Sequence, residues 1–216
     1  MPEQHPRTQS VKKEEPTPWY GLPFVALGHL FWIWLLLIVI EWLAPFWGGV
    51  TGLNAQHLFL QQLENLHQEM PGSVDRLLAI LASGMEYLVP ILTIEFTGLF
   101  AFLTPYWHGV VYVTLSLFAR IAILLFCYPL FLLVFFLGAF DGLVVRQRRV
   151  AFMDRETETK HFYSRKGLPW FVVGLSYAWL LLPGIWSISS FGLLLPGAIL
   201  TGILVRTAFA TYKKYL

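Results

Sequence analysis

The stretch IAILLFCYPLFLLVFFLGAF, residues 121–140, decides the fold class of this chain. It carries no charged residue, and about 20 apolar residues in an α-helix cross a hydrocarbon core of roughly 30 Å. We predict that the same helix begins near Val110, which places Arg120 where the helix enters the membrane. Pro129 is expected to kink the helix, because proline cannot donate a backbone hydrogen bond. Residues 110–140 are therefore predicted to form one long helix that contains a membrane span.

Composition and apolar blocks predict three further spans. Of the 216 residues, 56% are hydrophobic and 13% are charged, whereas soluble domains have about 25% charged residues. The apolar excess lies in blocks at residues 22–44, 168–186 and 191–210, so the predicted fold is an all-α integral membrane protein with four transmembrane helices. The remaining length is too short for a separate catalytic domain. Residues 1–20, polar and rich in proline, are predicted to be a disordered tail.

The segment between the first two spans, residues 48–109, is predicted to be a helical section outside the cytoplasm. From Asn54 to Met70, apolar residues recur at three- and four-residue steps, which is the pattern of an amphipathic helix. Residues 77–103 are apolar but carry Glu86 and Glu95, whose carboxylates are costly in hydrocarbon. We expect residues 77–103 to lie against the membrane, or to dip into it and return.

The distribution of lysine and arginine predicts the orientation, since these residues near span ends favour the cytoplasm. Three parts of the chain are basic: the tail, the loop at 141–167, and the end of the last helix with residues 211–216. Their basic residues are Arg7, Lys12, Lys13, Arg146, Arg148, Arg149, Arg155, Lys160, Arg165, Lys166, Arg206, Lys213 and Lys214. In residues 48–109, by contrast, Arg76 is the single lysine or arginine. We therefore predict a bacterial inner-membrane protein with both termini and the 141–167 loop in the cytoplasm, and residues 48–109 in the periplasm.

Charged residues at the edges of the predicted spans suggest a contact between helices. Glu41 and Arg120 both fall near the outer face, and an ion pair between them would lower the cost of holding either charge beside hydrocarbon. Arg120 could instead extend to lipid headgroups, or meet Glu86 or Glu95.

Ala198 and Gly202, in the fourth span, are typical of close helix packing. Small residues four positions apart allow two helix backbones to approach each other. The helix that packs there belongs either to this protein or to a partner.

No catalytic, metal or cofactor site is expected. Glu64 and His67 form an E-x-x-H step, but a di-iron bundle needs two such steps and two further carboxylates. A solvated helix face is therefore the simpler interpretation. The sequence also has no H-E-x-x-H, no G-x-S-x-G and no glycine-rich phosphate loop, so we expect a protein that is not an enzyme.

Short motifs around the basic loop carry a family resemblance. The motifs are Tyr128-Pro129-Leu130, Asp141-Gly142-Leu143-Val144, Arg146, Arg148-Arg149 and Arg155-Glu156-Thr157. Together they resemble a family of small multispan inner-membrane proteins of integrating conjugative elements, encoded among type IV secretion genes near the TraD-type coupling ATPase. The similarity covers residues 110–210, and Thr157 stands where the family usually has serine.

The resemblance implies an accessory or scaffold subunit of a conjugative type IV secretion system, which adapts the coupling ATPase to the membrane complex. The expected docking residues are Asp141, Gly142, Arg146, Arg148, Arg149, Arg155 and Glu156. The expected partners are other inner-membrane secretion subunits, the coupling ATPase, anionic lipids and, as an option, further copies of this chain; direct nucleic-acid binding is not expected. Two alternatives stay open: an exclusion or partner-recognition protein that acts through residues 48–109, and a small transporter or channel lined by Glu41, Arg120 and Glu95.

Cysteine labelling tests the predicted topology. In single-cysteine variants L60C and V150C that lack Cys127, position 60 should face the periplasm and position 150 the cytoplasm. A membrane-impermeant maleimide added to intact cells should therefore modify L60C at once and V150C only after permeabilisation. Labelling of both positions from the same side would contradict this layout and the adaptor role that depends on it.

Overall fold

The computed structural model describes residues 21–69, 71–72, 75–77, 79–80, 83, 90, 94–152 and 158–211. Within these residues every regular element is a helix. The α-helices are α1 (Leu22–Trp42), α2 (Leu53–Glu69), α3 (Thr104–Ala151), α4 (Glu158–Leu181) and α5 (Ser190–Ala210). Short 3-10 helices lie at Ala44–Trp47, Gly98–Leu103 and Leu182–Gly184. The chain divides into two compact units inside α1, between Trp32 and Ile33, and the candidate site lies in the unit that begins at Ile33.

Four helical segments are long and apolar enough to cross a membrane. They are Leu22–Trp42, Gly98–Ala151, Phe162–Gly184 and Ser190–Ala210. The 21 residues of α5 extend about 31 Å at 1.5 Å per residue, which matches a hydrocarbon core of roughly 30 Å. The predicted fold class is confirmed to this extent: the described chain is helical and has four apolar helices of spanning length.

The helix boundaries differ from the predicted ones at the basic loop. α3 continues without a break through residues 141–151, and α4 begins at Glu158, so most of the predicted 141–167 loop is helical. A run of charged residues marks the end of an apolar block, and it does not by itself end a helix. Arg148 and Arg149 lie in the last turn of α3, where positive charge stabilises the helix C-terminus.

Some predicted segments lie outside the described residues. They are the tail at 1–20, most of 78–93, residues 153–157 and residues 212–216. In the predicted periplasmic section, the main described element is α2, which coincides with the predicted amphipathic helix within one residue at each end.

The closest helix contact joins α3 to α5, which pack against each other more extensively than any other pair of described helices. A Cβ added at Gly138 would lie 2.5 Å from the carbonyl oxygen of Gly202, and one added at Gly142 would lie 2.6 Å from the carbonyl oxygen of Arg206. These distances leave no room for a side chain, so glycine sets how closely the backbones approach. Because the contacts advance in the same order along both helices, α3 and α5 run parallel.

This contact also shows what packs against the small residues of the fourth span. Ala198 is 0% exposed, and a Cβ added at Gly202 would lie 2.5 Å from Cγ1 of Val134 in α3. The helix that meets Gly202 therefore belongs to this chain.

Substitution of Gly138 by alanine tests this packing. G138A should destabilise the protein by about 1–3 kcal/mol, because the methyl group forces α3 away from α5. The matched control is G174A in α4, where an added Cβ has nothing within 4 Å; it should stabilise the helix by roughly 0.5–1 kcal/mol. Thermal unfolding in detergent measures both, and equal effects of the two variants would contradict the close contact.

Candidate functional site

A buried carboxylate, Glu41, joins the end of α1 to the start of α2. The side chain is 3% exposed. Its Oε1 atom accepts hydrogen bonds from the backbone N–H groups of Gly52 (2.9 Å) and Ala55 (3.1 Å), and its Oε2 atom accepts one from Nδ2 of Asn54 (3.0 Å). The first N–H groups of a helix lack partners within the helix and carry partial positive charge. Glu41 therefore caps α2 from a neighbouring helix.

The turn between α1 and α2 returns the chain to Glu41, and it depends on glycine. Gly48 has a φ of +81° and Gly52 a φ of +84°, a backbone region that residues with a Cβ rarely adopt. At Gly52 a Cβ would also lie 2.6 Å from the carbonyl oxygen of Pro105 at the start of α3. The N-terminus of α2 is thus held between Glu41 and α3.

A second buried charge, Arg120 of α3, is held by the end of α4. The side chain is 2% exposed. Its Nη1 atom donates to the carbonyl oxygen of Leu180 (2.7 Å), and the indole N–H of Trp179 donates to the carbonyl oxygen of Arg120 (3.0 Å). A cation beside the last carbonyl groups of a helix is electrostatically favourable, so α3 and α4 are joined in both directions.

Arg120 also connects to α2 through two side chains. Its Nη2 atom donates to Oγ of Ser116 (2.6 Å), and Ser116 donates to Oε1 of Gln62 (3.1 Å). Gln62 is buried in the face of α2 that packs on α3. α2, α3 and α4 therefore share one chain of hydrogen bonds.

Glu41 and Arg120 line the same small cavity, but the predicted direct ion pair between them is not formed. Both side chains are described, and neither takes part in the salt bridge between Asp141 and Arg206. The reason is that each charge has taken a different partner: Glu41 the amides of α2, and Arg120 the end of α4. Arg120 does not extend to lipid headgroups either, since it is buried. Of the other predicted partners, Glu95 is exposed and Glu86 lies outside the described residues.

A second carboxylate joins the other end of α2 to α5. Glu69, the last residue of α2, accepts hydrogen bonds from the hydroxyl of Ser189 and from the backbone N–H of Phe191 (3.2 Å). Ser189 in turn caps α5 by accepting from the N–H of Gly192 (3.0 Å). Glu69 thus lies at the positive end of the α5 dipole, and α2 is fixed at both of its ends by carboxylates.

At the opposite end of α5, the basic residues of α3 meet the helix C-terminus. Asp141 forms an ion pair with Nε of Arg206 at 2.5 Å, and both side chains are about half exposed. Nη1 of Arg149 donates to the carbonyl oxygen of Ala210, the last residue of α5 (2.5 Å). Gly142 is buried beneath the Arg206 backbone. We call this region, residues 141–152 with 206–211, the basic end.

The predicted docking residues therefore divide into groups. Asp141, Gly142 and Arg149 hold α3 against α5. Arg148 is exposed and Arg146 is half-buried. Arg155 and Glu156 lie outside the described residues.

The two groups of contacts are far apart along α3. Ser116 contacts α2 and Arg149 contacts the end of α5, and the helix between these two residues is roughly 50 Å long at about 1.5 Å per residue. That length exceeds a hydrocarbon core of roughly 30 Å. α2 and the basic end therefore lie at opposite ends of α3.

One of these contacts has a signal in the sequence beyond Ala198 and Gly202. Gly138 and Gly142 form a G-x-x-x-G step in α3, which pairs with Gly202 and was readable from the sequence. The contact of Glu69 with Ser189 carried no such signal, because the two residues are distant in the chain. Glu64 and His67 are exposed, and the described residues contain no group of three side chains suited to a metal ion.

A comparison with models of protein families shows which family the chain belongs to. The sequence model of the family described as "IncC plasmid conjugative DNA transfer protein DtrJ-like" matches residues 60–213. No curated protein and no solved structure matches the chain. The match confirms a conjugation-associated family; the predicted link to integrating conjugative elements and to the TraD-type ATPase remains a prediction.

Substitution of Glu41 by glutamine tests the cap on α2. E41Q removes the charge and turns one acceptor into a donor that faces the Asn54 amide, so we expect a loss of about 1.5–3 kcal/mol. The control is E64Q on the exposed face of α2, expected within roughly 0.5 kcal/mol of the parent. Thermal unfolding reports stability, and amide hydrogen exchange at residues 52–56 reports the cap. Unchanged exchange in E41Q would contradict the capping role.

Proposed function

The chain belongs to the DtrJ-like family of conjugative DNA transfer proteins, and we propose that it serves DNA transfer as an accessory or scaffold subunit in the inner membrane. One observation carries the scaffold role. The buried charged side chains of Glu41 and Arg120 both form hydrogen bonds that join helices of the chain to one another. Such an arrangement favours a rigid frame, and the proposed role is structural.

The surface of the helices supports insertion into a membrane. Large apolar side chains point outward along the spans, among them Leu125, Leu133, Phe136, Leu137, Phe140, Ile199 and Ile203. Exposed aromatic residues mark both halves of the molecule: Trp42 and Trp186 at the end where α2 lies, and Tyr163 and Trp170 in the first half of α4. Tryptophan and tyrosine are enriched at membrane interfaces, which favours two interfacial belts.

Charge supports an orientation with the basic end in the cytoplasm. The basic segments of α3 and α5 meet at one end of the unit through Asp141, Arg149 and Arg206. Positive residues at span ends favour the cytoplasmic side. α2 would then lie at the periplasmic face.

The docking surface in this proposal is the exposed part of the basic end. Arg148 is exposed and Phe152 is 81% exposed, while neighbouring Arg149 holds α5. An exposed cation beside an exposed aromatic ring suits a protein partner with an acidic, partly apolar face. The proposed partner is the coupling ATPase or another inner-membrane secretion subunit, with anionic lipid around the rim.

A second candidate function, exclusion or partner recognition, is favoured by the outward face of α2. His57, Glu64 and His67 are exposed there, on the side away from α3. The two functions use opposite ends of the molecule, so one pair of charge reversals separates them.

We expect R148E and E64K to have different effects in donor cells. If the basic end docks a secretion subunit, R148E should lower transfer roughly tenfold or more and reduce co-purification of that subunit from mild detergent. E64K, the matched control at the other end, should leave both unchanged. Equal membrane abundance of the two variants must be shown by immunoblot.

Recipient cells distinguish the exclusion alternative. Expression of the chain in a recipient should leave transfer unaffected if the protein is a donor scaffold. A lowered transfer into such recipients that is relieved by E64K, together with normal transfer by a donor that lacks the gene, would refute the scaffold role.

A further inference from the structure

Arg120 has a buried donor that no described residue satisfies. Nη1 and Nη2 donate to Leu180 and Ser116, whereas Nε has no hydrogen-bond partner among the described residues. The second donor of this kind, Nε2 of Gln62, belongs to the same cluster, because Gln62 accepts from Ser116. An unpaired buried donor costs free energy comparable with a lost hydrogen bond, so the cluster lacks an acceptor.

The cavity beside Arg120 contains an acceptor with spare capacity. A carboxylate oxygen has about two acceptor sites. Oε1 of Glu41 uses both for backbone N–H groups, but Oε2 accepts only the Asn54 amide among the described residues. Glu41, which lines the same cavity as Arg120, therefore keeps one acceptor site at Oε2.

The size and the lining of the cavity determine what can occupy it. The space admits about one water molecule, and its polar walls are Glu41, Ser116 and Arg120. Polar cavities of this size hold water that makes two to four hydrogen bonds, while apolar ones stay dry. A chloride ion would be larger and would meet the carboxylate, and a metal cation would meet the guanidinium.

We propose that this cavity binds one ordered water molecule that bridges Arg120 to Glu41, so that the two opposite charges form a water-mediated ion pair. The water accepts the Nε–H of Arg120 and donates to Oε2 of Glu41. Each charge keeps its own helix-end partners, and the water supplies the acceptor that Nε of Arg120 lacks among the described residues. The proposal is independent of the role in DNA transfer, since it concerns only the packing of α1, α2 and α3.

A double-mutant cycle measures the link between the two charges. E41Q and R120M are made singly and together in the full-length protein, and thermal unfolding is followed in detergent. If the water couples the charges, the double variant loses less free energy of unfolding than the two single variants lose in sum. Additive losses would overturn the proposal.

Filling the cavity separates a bound water from an empty void. V113I adds a methyl group from the α3 wall, and V111I is the matched control on α3 outside the lining. If water is present, V113I lowers Tm by roughly 2–4 °C and removes the coupling between positions 41 and 120, while V111I does neither. A higher Tm in V113I with the coupling intact would mean that the cavity is dry.

A direct observation covers the case in which R120M fails to fold. Cryo-electron microscopy of the parent protein, at a resolution that shows ordered water, should find density between Nε of Arg120 and Oε2 of Glu41. Well-resolved side chains with no density between them would reject the water.

Discussion

The close approach of α3 and α5 at Gly138 and Gly202 is the constraint on which the contacts of the basic end depend. With one methyl group between the backbones, Asp141 would move away from Arg206, and Arg149 would no longer reach the last carbonyl group of α5. In a membrane, apolar burial gives little driving force for helix association, so packing and polar contacts hold the helices together. Small residues at this interface allow close packing of the backbones. They also bring the charged residues within hydrogen-bond distance of their partners.

Four charged side chains of the described residues lie at the ends of helices other than their own. Glu41 meets the N-terminus of α2, Glu69 meets that of α5, and Arg120 and Arg149 meet the carbonyl groups at the ends of α4 and α5. In every case the sign of the charge opposes that of the helix dipole. The free N–H and C=O groups of helix ends are costly near hydrocarbon. Each of these contacts gives such a group a hydrogen-bond partner, and it gives the charged side chain one as well. This explains how buried charges persist without a direct ion pair between them.

The sequence predicted local features and missed contacts between distant residues. The apolar helices were predictable because span length is a property of one continuous segment. The helical state of residues 141–151 was not predictable from the sequence. Charged residues indicate where an apolar block ends, but they do not indicate where the backbone hydrogen bonds of the helix stop. The tetrapeptide Leu-Leu-Pro-Gly shows the same limit: at 181–184 it ends α4, but at 194–197 it lies inside α5. Gly184 lies against Leu37 and Arg120, whereas Gly197 lies against Leu175, so the same four residues occupy two different tertiary surroundings.

The division of labour along α3 connects the fold to the proposed role. Near its start, the helix is tied to α2 and α4 through Ser116 and Arg120, and near its end it is tied to α5 through Asp141 and Arg149. If one end of α3 moved relative to the other helices, packed and hydrogen-bonded contacts would have to break, because tightly packed interfaces deform little. In the proposed role, a partner at the basic end would therefore meet a surface whose position is fixed from the far side of the membrane. A fixed surface of this kind suits a subunit that holds the coupling ATPase in a constant position relative to a membrane complex.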